Sequence, residues 1–459
     1  MHLNFKKKLE TEILNFIDRY ELIGDGDKLL LALSGGPDSV FAFHFLLKYQ
    51  ERFKLQLACI HINHMLRGKE SDDDEKFVRA LCKSRGIELH VRGSDTRKYS
   101  KENGYSIEEA ARRLRYSEFY AIRLKTGFNK IVTAHNCNDN TETIFINTIK
   151  GTGLSGFSGI PVERDNIIRP FLAVTKKEIL DFLDSRNIDY RKDSSNYSTD
   201  FQRNYLRINI IPELEHNINP SLHSTILNTS LNLQAALKYL NLLVDTIMNK
   251  SVIGRKDGVE LMIDQSELEH EYLFGEVVKK ICTEYLKIEF NKKLFDQIYS
   301  LKSVQTGRHL DLENGWQAIR ERGSLRFYRD NKIAGDNEVA FKPGEVAVLG
   351  GVRVGCEFID GDLDWPDKDK NTEIISADKL GDIFILRKWK SGDKFQPLGM
   401  KGNKKLSDFL TEQKVPASDK NNILVLTNSE TIVWVVGLRI SEKFKYTEKT
   451  KKVIKLWTK

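Results

Sequence analysis

The stretch LALSGGPDSV, residues 31–40, joins an apolar run to two glycines, an acid and two serines, and then continues into an apolar helical stretch. Gly35 and Gly36 allow the main chain to approach a ligand closely, and the start of a helix offers unpaired N–H groups. These features predict a binding site for phosphate oxygens. The common phosphate loop, GxxxxGK[ST], contains a lysine that is absent here. The alternative is a plain glycine turn between a strand and a helix.

Two further groups of charged residues have helical spacing. Asp139 and Glu142 lie three positions apart at the start of a predicted helix, so their carboxylates share one face and could hold an ammonium group. Glu108, Arg112 and Arg115 share the face of another helix. Charge at a helix start is the alternative for the first group, and a solvated salt-bridge face is the alternative for the second.

Alternating strand-like and helix-like stretches must position these residues. The predicted strands are KLLLAL (28–33), LQLACIHIN (55–63), GIELHV (86–91) and KIVTAH (130–135). Ser71, Ser106 and Thr175 carry helix-start signals. The alternation predicts an α/β fold, a parallel sheet wound with helices, with its ligand site beyond the carboxyl ends of the strands at 34–39, 61–67 and 134–142.

The rest of the chain changes character twice. From about 213 to 300 the pattern is helical with no strand between the helices, and short strands follow after about 305. The sequence therefore predicts a catalytic domain at 1–215 and a mainly helical substrate-binding domain at 216–330. A linker and the start of the C-terminal unit are predicted at 331–380, and a small, basic α+β domain at 381–459.

Composition bounds the class of protein. The chain has 459 residues, 40% hydrophobic and 30% charged, which suits packed cores rather than disorder. Neither a membrane-spanning apolar run nor a signal peptide is recognised, so a cytoplasmic protein is expected. The five cysteines are scattered and lack a CxxC pair, so reduced thiols are expected. His61 and His64 lack a third ligand at metal spacing, so no metal centre is predicted there.

Charge is concentrated at the C-terminus. The net charge is +7, and residues 381–459 carry 17 Lys and Arg against 8 Asp and Glu. Within them, RKWKSGDKFQPLGMKGNKK (387–405) has seven basic residues, one Asp, and interleaved Trp389 and Phe395. Lysines that contact phosphates, beside aromatic rings that stack on bases, are typical of RNA-binding surfaces, and a solvated face is the alternative.

Several blocks in order resemble a known family. They are SGGPDS (34–39), HINHMLR (61–67), IEEAARRLRY (107–116), AHNCNDNTET (134–143), KGTGLSGFSGI (150–160), RPF (169–171), DSSN (193–196), RNYLR (203–207) and RKWKSGDKFQPLGMKGNKKLSDFLTEQKVP (387–416). Together they resemble the bacterial tRNA(Ile)-lysidine synthetases, members of the PP-loop ATP pyrophosphatases. The resemblance covers nearly the full length.

The resemblance implies a reaction in two steps. ATP, as its Mg²⁺ complex, adenylates the C2 oxygen of the wobble cytidine in the isoleucine tRNA with a CAU anticodon, and the side-chain amine of free lysine then displaces AMP. The expected partners are that tRNA, L-lysine and ATP, without a prosthetic group or a membrane, and a homodimer is an open option. The helical domain at 216–330 is expected to bind substrate or tRNA, and the basic domain at 381–459 is expected to bind tRNA by docking its acceptor arm.

The resemblance also implies roles for individual residues. ATP binding falls to Ser34, Gly35, Gly36, Pro37, Asp38, Ser39 and His135, and Asp38 is a candidate contact to Mg²⁺. The catalytic candidates are Asp38, Arg112 and Asp139, and the lysine-binding candidates are Asp139, Glu142, Arg115 and Arg207. The tRNA-binding candidates are His61, Asn63, His64, Arg67, Arg387, Lys388, Lys401, Lys404 and Lys405.

One block departs from the family pattern. Where AHxxDDQ is usual, this chain has AHNCNDN, with Asn138 and Asn140 in place of an acid and a glutamine. This puts in doubt a role for the first carboxylate. Two rival functions are a tRNA thiolase, for which Cys137 lies close to the site without a CxxC partner, and a non-catalytic RNA-binding protein.

Overall fold

The computed structural model of the chain describes residues 2–66, 68–192, 202–329, 338–359 and 371–459. Its internal contacts divide it into two units, Met1–Asn241 and Leu242–Lys459. The four-part division into 1–215, 216–330, 331–380 and 381–459 stays a prediction. None of the described helices is long and apolar enough to cross a membrane.

A six-stranded sheet forms the centre of the first unit, in the order β3-β2-β1-β4-β6-β5. Its strands are β1 (Lys28–Ala32), β2 (Gln56–Asn63), β3 (Glu88–Gly93), β4 (Lys130–Val132), β5 (Glu163–Arg164) and β6 (Ile167–Ile168). All neighbours pair in parallel except β5 with β6. The four predicted strands are confirmed, and they bring the predicted ligand segments to one edge of the sheet.

Helices cover this sheet. They are α1 (His2–Arg19), α2 (Pro37–Tyr49), α3 (Lys69–Ser84), α4 (Thr96–Asn103), α5 (Ile107–Thr126), α6 (Cys137–Lys150), α7 (Leu154–Phe157), α8 (Lys176–Asp184), α9 (Gln202–Tyr205), α10 (Ile211–Asn217) and α11 (Leu222–Ser251), with a π-helical segment Leu206–Ile210 before α10. Helix α2 is buried at Val40, Phe41 and Phe43 because it packs within the core, so the phosphate loop that precedes it is held by apolar packing.

Two of the three predicted helix starts are confirmed. The Ser106 side chain accepts a hydrogen bond from the Glu109 N–H, and Thr175 forms a reciprocal capping box with Glu178. The prediction at Ser71 was wrong, since α3 begins two residues earlier. Gly68 takes the cap position there with a φ of 54°, which a glycine adopts without strain.

The second unit contains a five-stranded sheet with two helices. The order β7-β8-β11-β10-β9 is formed by β7 (Val252–Arg255), β8 (Gly258–Met262), β9 (His309–Asp311), β10 (Trp316–Arg320) and β11 (Ser324–Arg329), beside α12 (Glu271–Lys280) and α13 (Lys292–Leu301). The hairpin of β7 and β8 corrects the prediction of a strand-free stretch up to residue 300. Both strands are short, so the long helix before them dominated the sequence pattern. Gly258 is required because a Cβ there would lie 1.9 Å from the Phe327 carbonyl oxygen.

The remaining strands form three antiparallel sheets, in the orders β12-β16-β19-β20-β21, β13-β14-β22-β15 and β17-β18. The elements are β12 (Glu338–Phe341), β13 (Val346–Leu349), β14 (Val352–Ile359), β15 (Thr372–Ser376), β16 (Phe384–Lys388), β17 (Lys394–Phe395), β18 (Lys404–Lys405), α14 (Leu406–Glu412), α15 (Ala417–Lys420), β19 (Leu424–Asn428), β20 (Thr431–Val435), β21 (Arg439–Ile440) and β22 (Val453–Thr458). This α+β end of the chain was predicted.

Candidate active site

The SGGPDS loop is closed around the hydroxyl of Ser39. The N–H groups of Ser34 and Gly35 each donate to Ser39 Oγ at 3.2 Å, and that hydroxyl donates to the Gly36 carbonyl oxygen at 3.0 Å. Gly35 has a φ of +90°, which disfavours any side chain. Helix α2 begins at Pro37 without a side-chain cap, so its first N–H groups are available to an anion.

Asp38 is held in place by two partners from distant segments. Lys176 Nζ lies 2.6 Å from Asp38 Oδ2, and Asn136 Nδ2 donates to Asp38 Oδ1 at 3.0 Å. Burial raises the pKa of the Asp38 carboxyl, and the charge of Asp139 adds to that increase, while Lys176 opposes it. The ammonium group of Lys176 therefore lies beside the loop, although this lysine belongs to the start of α8 and not to the loop itself.

A cavity of about 350 Å³ opens beside the loop at the carboxyl ends of β1, β2 and β4. Its polar lining includes His64, Arg115, His135, Asp139 and Arg203, and its apolar lining includes Ile60, Ile62 and Phe119. This volume is within the range of small-molecule sites, and an apolar wall opposite polar groups suits a nucleoside.

Both histidines of the cavity are neutral near pH 7. Burial lowers the pKa of His135 well below its usual value, and the guanidinium groups of Arg169, Arg203 and Arg115 lower it further. Burial, with Arg115 nearby, lowers the pKa of His64 to about 4. Neutral rings can accept as well as donate hydrogen bonds, which a nucleobase or a ribose requires.

The acidic pair of α6 is occupied by two arginines. Arg203 Nε and Arg207 Nε each lie 2.6 Å from a different oxygen of the buried Glu142 carboxylate. Arg203 also donates to Asp139 Oδ1 at 3.2 Å, whereas Asp139 Oδ2 accepts the Asn136 N–H. Asn136 thus contacts Asp38 through its side-chain amide and the Asp139 carboxylate through its backbone N–H, so one residue links the phosphate loop to the acidic pair.

The two departures from the family pattern have structural roles. Asn138 Oδ1 accepts the Lys176 N–H at 2.9 Å, and its Nδ2 lies 2.7 Å from His223 Nε2. Asn140 is fully buried, and its Oδ1 accepts the Ile160 N–H at 2.7 Å. Both amides therefore hold α6 against its neighbours.

Comparisons with known proteins agree with this geometry. A PP-loop domain model matches residues 5–214, and a TilS substrate C-terminal domain model matches residues 384–457. The tRNA(Ile)-lysidine synthases of Clostridium perfringens and Clostridium tetani are 34% and 32% identical to the chain, over 98% and 97% of both proteins. That of Bacteroides thetaiotaomicron is 33% identical over 97% of this chain and 99% of its own.

The chain belongs to the tRNA(Ile)-lysidine synthase family. It is a PP-loop, ATP-dependent ligase. The thiolase alternative loses its candidate residue, because Cys137 is buried and burial raises the pKa of its thiol to about 12. A thiol of that kind is a poor nucleophile at neutral pH.

The structure brings most residues predicted for the catalytic site together around the cavity. The loop residues, His64, Arg115, His135 and Asp139 surround the cavity or adjoin it, and Glu142 and Arg207 pair beside it. Arg112 is exposed and lies over the Tyr116 ring at 5.2 Å, outside the cavity lining. Arg67 and the DSSN block lie outside the described residues.

Two predicted RNA contacts need correction. His61 is 4% exposed and donates from Nδ1 to the Leu33 carbonyl oxygen, so its ring supports the chain before the phosphate loop. Asn63 is 6% exposed and donates to Asp72 and Glu75. Buried side chains that already have partners are not presented to an RNA, and we assign both residues a positioning role.

The basic block of the C-terminal domain is also less available than its sequence indicated. Arg387 donates two hydrogen bonds to Asp393, Lys388 donates to Asn422, and Lys404 pairs with Glu412. The Phe395 ring is 3% exposed and is not free to stack on a base, and the half-buried Trp389 is tied at its edge, where Nε1 donates to the Lys420 carbonyl oxygen at 2.5 Å. Lys401 and Lys405 remain exposed.

Sequence reasoning missed three residues of the site. Asn136 lies inside a quoted block, and Arg203 precedes Arg207 by one helical turn, so spacing could have identified both. Lys176 follows the capping threonine of α8, and only the fold brings it to Asp38, 138 positions away in sequence.

Proposed function

We propose that this chain joins the side-chain amine of free lysine to C2 of the wobble cytidine in the isoleucine tRNA with a CAU anticodon, using ATP. The product reads AUA instead of AUG and is charged with isoleucine instead of methionine. The observation that supports it best is the pair of hydrogen bonds from Asn136 to Asp38 and to Asp139, at 3.0 Å each. This link puts a phosphate loop and an acidic pair within one site, where an activated base and an amine would meet.

In the proposed first step the cytidine O2 attacks the α phosphorus of ATP. The bond from that phosphorus to the bridging oxygen of the β phosphate breaks, and pyrophosphate leaves. The loop N–H groups and the start of α2 hold the pyrophosphate half, and Lys176 turns from Asp38 to the phosphates. Preorganised donors and cations stabilise the charge that develops in such a transfer.

Mg²⁺ is expected to enter with the nucleotide, where it would neutralise phosphate charge. Asp38 is the carboxylate at the loop that suits it, since Mg²⁺ prefers oxygen ligands and combines one or two carboxylates with substrate phosphates. Asp38 can take this part once Lys176 has moved to the phosphates.

In the proposed second step the neutral amine of lysine attacks C2. The bond from C2 to the adenylated oxygen breaks, AMP leaves with that oxygen, and the new C–N bond forms as the nitrogen gives up a proton. Asp139, which is the more exposed acid of the pair, orients the amine. Arg203, Arg207 and Arg115 surround it, and nearby cations favour the neutral form of an amine.

The test supplies the purified chain with ATP, Mg²⁺, labelled lysine and a transcript of the isoleucine tRNA with a CAU anticodon. We expect label in the tRNA together with AMP and pyrophosphate, and no label in a transcript with a different wobble base. Release of AMP without entry of lysine would sink the proposal. A homodimer stays a prediction that sedimentation of the same sample can check.

The Asp139→Asn variant tests the lysine pocket, because it keeps the size of the side chain and its bond to the Asn136 N–H. We expect the KM for lysine to rise by about tenfold or more, with the KM for ATP nearly unchanged. Equal changes in both would assign Asp139 to the nucleotide instead.

A further inference from the structure

A polar groove of about 1150 Å³ lies within the second unit. One wall is formed by β7, β8, β10 and β11, and the other by residues 411–422 around α15. No function derived so far uses it.

The acids of this groove are engaged within the protein. Arg326 lies 2.8 Å from Asp257 and 2.7 Å from Asp419, both measured between charged atoms. Glu260 pairs with Arg255, and Glu321 accepts the N–H groups of two residues at the start of α15. Arg326 and Glu321 thus join the two walls, and each acid of the lining already has a partner within the protein.

Four cations of the groove have no acidic partner among the described residues. Lys420 donates to the Thr411 hydroxyl, and Arg322 donates to the Thr411 carbonyl oxygen. The side chains of Lys256 and Lys414 are exposed and contact no described acid. An open groove with four spare cations, acids that are engaged within the protein, and amide side chains suits a chain of phosphates.

We propose that this groove binds the phosphate backbone of the tRNA outside its anticodon stem-loop, and that the basic block at 387–405 does so to a lesser extent. The proposal rests on the proposed function, which supplies the tRNA. It differs from the interpretation of the sequence, because Arg387, Lys390 and Lys404 of the basic block pair with acids, whereas four cations of the groove have no acidic partner among the described residues.

The test compares two double variants in the full-length chain. Lys256→Glu with Lys414→Glu reverses two groove cations, and Lys401→Glu with Lys405→Glu reverses two exposed cations of the basic block. Binding of the full-length isoleucine tRNA is measured by filter retention over a series of salt concentrations, and lysine entry is measured with that tRNA and with an isolated anticodon stem-loop.

We expect the groove variant to bind full-length tRNA about tenfold or more weakly and to reduce the slope of log K against log salt by about two. Lysine entry into the stem-loop should be unchanged, and the basic-block variant should change binding by less than the groove variant. Equal loss in the two variants, or a loss with the stem-loop as large as with full-length tRNA, would overturn the proposal.

Two controls separate this outcome from other failures. Tryptophan emission reports folding of the second unit, because every tryptophan lies beyond residue 315. The double variant Lys256→Gln with Lys414→Gln removes the two charges without reversing them, and it should lower the salt slope as much as the double glutamate variant does. If the unaltered chain does not place lysine in tRNA, the proposed function fails, whereas the binding comparison still decides on the groove.

Discussion

The catalytic edge of the first unit and the groove of the second unit treat their cations in opposite ways. At the catalytic edge, Lys176, Arg203 and Arg207 each hold a carboxylate at 2.6 Å. In the groove, the acids are engaged by Arg255, by Arg326 and by backbone N–H groups, and four cations have no acidic partner among the described residues. A cation that is hydrogen-bonded to a carboxylate has a fixed position, and a reaction at one atom of a substrate requires such fixed groups. Unpaired charges on an open wall attract a polyanion without fixing one atom.

The difference has an energetic counterpart. Partly buried pairs such as those of the catalytic edge are screened less by salt than exposed ones, and losing one partner leaves an uncompensated charge. Exposed cations gain their energy from the counterions that an RNA releases, so their contribution depends strongly on salt. Stability measurements should therefore respond to the first region, and salt-dependent binding should respond to the second.

Glu142→Gln should give the largest effect, because two guanidinium groups lose the carboxylate that lies between them. We expect the free energy of unfolding of the first unit to fall by about 3–5 kcal/mol. Urea unfolding followed by far-ultraviolet circular dichroism measures it, while tryptophan emission follows only the second unit.

Glu109→Gln is the matched control for that change. Its carboxylate also lies 2.6 Å from an arginine, Arg113, but both side chains are about half exposed. A loss of about 0.5 kcal/mol or less is expected there. Similar losses of unfolding free energy in the two variants would mean that the ion pairs of the catalytic edge contribute no more to stability than an exposed pair does.

Lys176→Met should have the next largest effect, because it removes the cation beside the phosphate loop. We expect the rate of pyrophosphate release at saturating substrates to fall by about a hundredfold, with little change in the KM for lysine. The adjacent, exposed Lys177→Met is the control and should keep nearly full activity. A fall in both variants would show that the start of α8, rather than this ammonium group, is what matters.

The sequence allowed the prediction of features whose cause is local. The strand, the glycines and Asp38 are contiguous, and the spacing of Asp139 and Glu142 places them on one helical face. Partners that meet only through the fold were missed, such as Lys176 with Asp38. Composition also misled in the basic block, because the short-range pairing of Arg387 with Asp393 and the burial of Phe395 are not visible in a count of charges.

The smallest expected effect concerns pH and the histidines of the first unit. Burial lowers the pKa of His64 from its usual 6.5 to about 4, and it also lowers the pKa values of His61 and His135. In the unfolded chain these histidines are protonated near pH 6.5, whereas in the folded chain they are protonated only at lower pH. Stability is therefore fully present above that pH and falls as the solution is acidified toward pH 4.

His64→Gln isolates one of these rings. Between about pH 7.5 and about pH 5, we expect the unaltered first unit to lose on the order of 1 kcal/mol through His64, and the variant to lose less by that amount. Urea midpoints from circular dichroism at the two pH values measure it. An equal loss in both proteins would show that the pKa of His64 is the same in the folded and unfolded chains. The neutral lining of the cavity would then have to be abandoned, whereas the groove of the second unit would be unaffected.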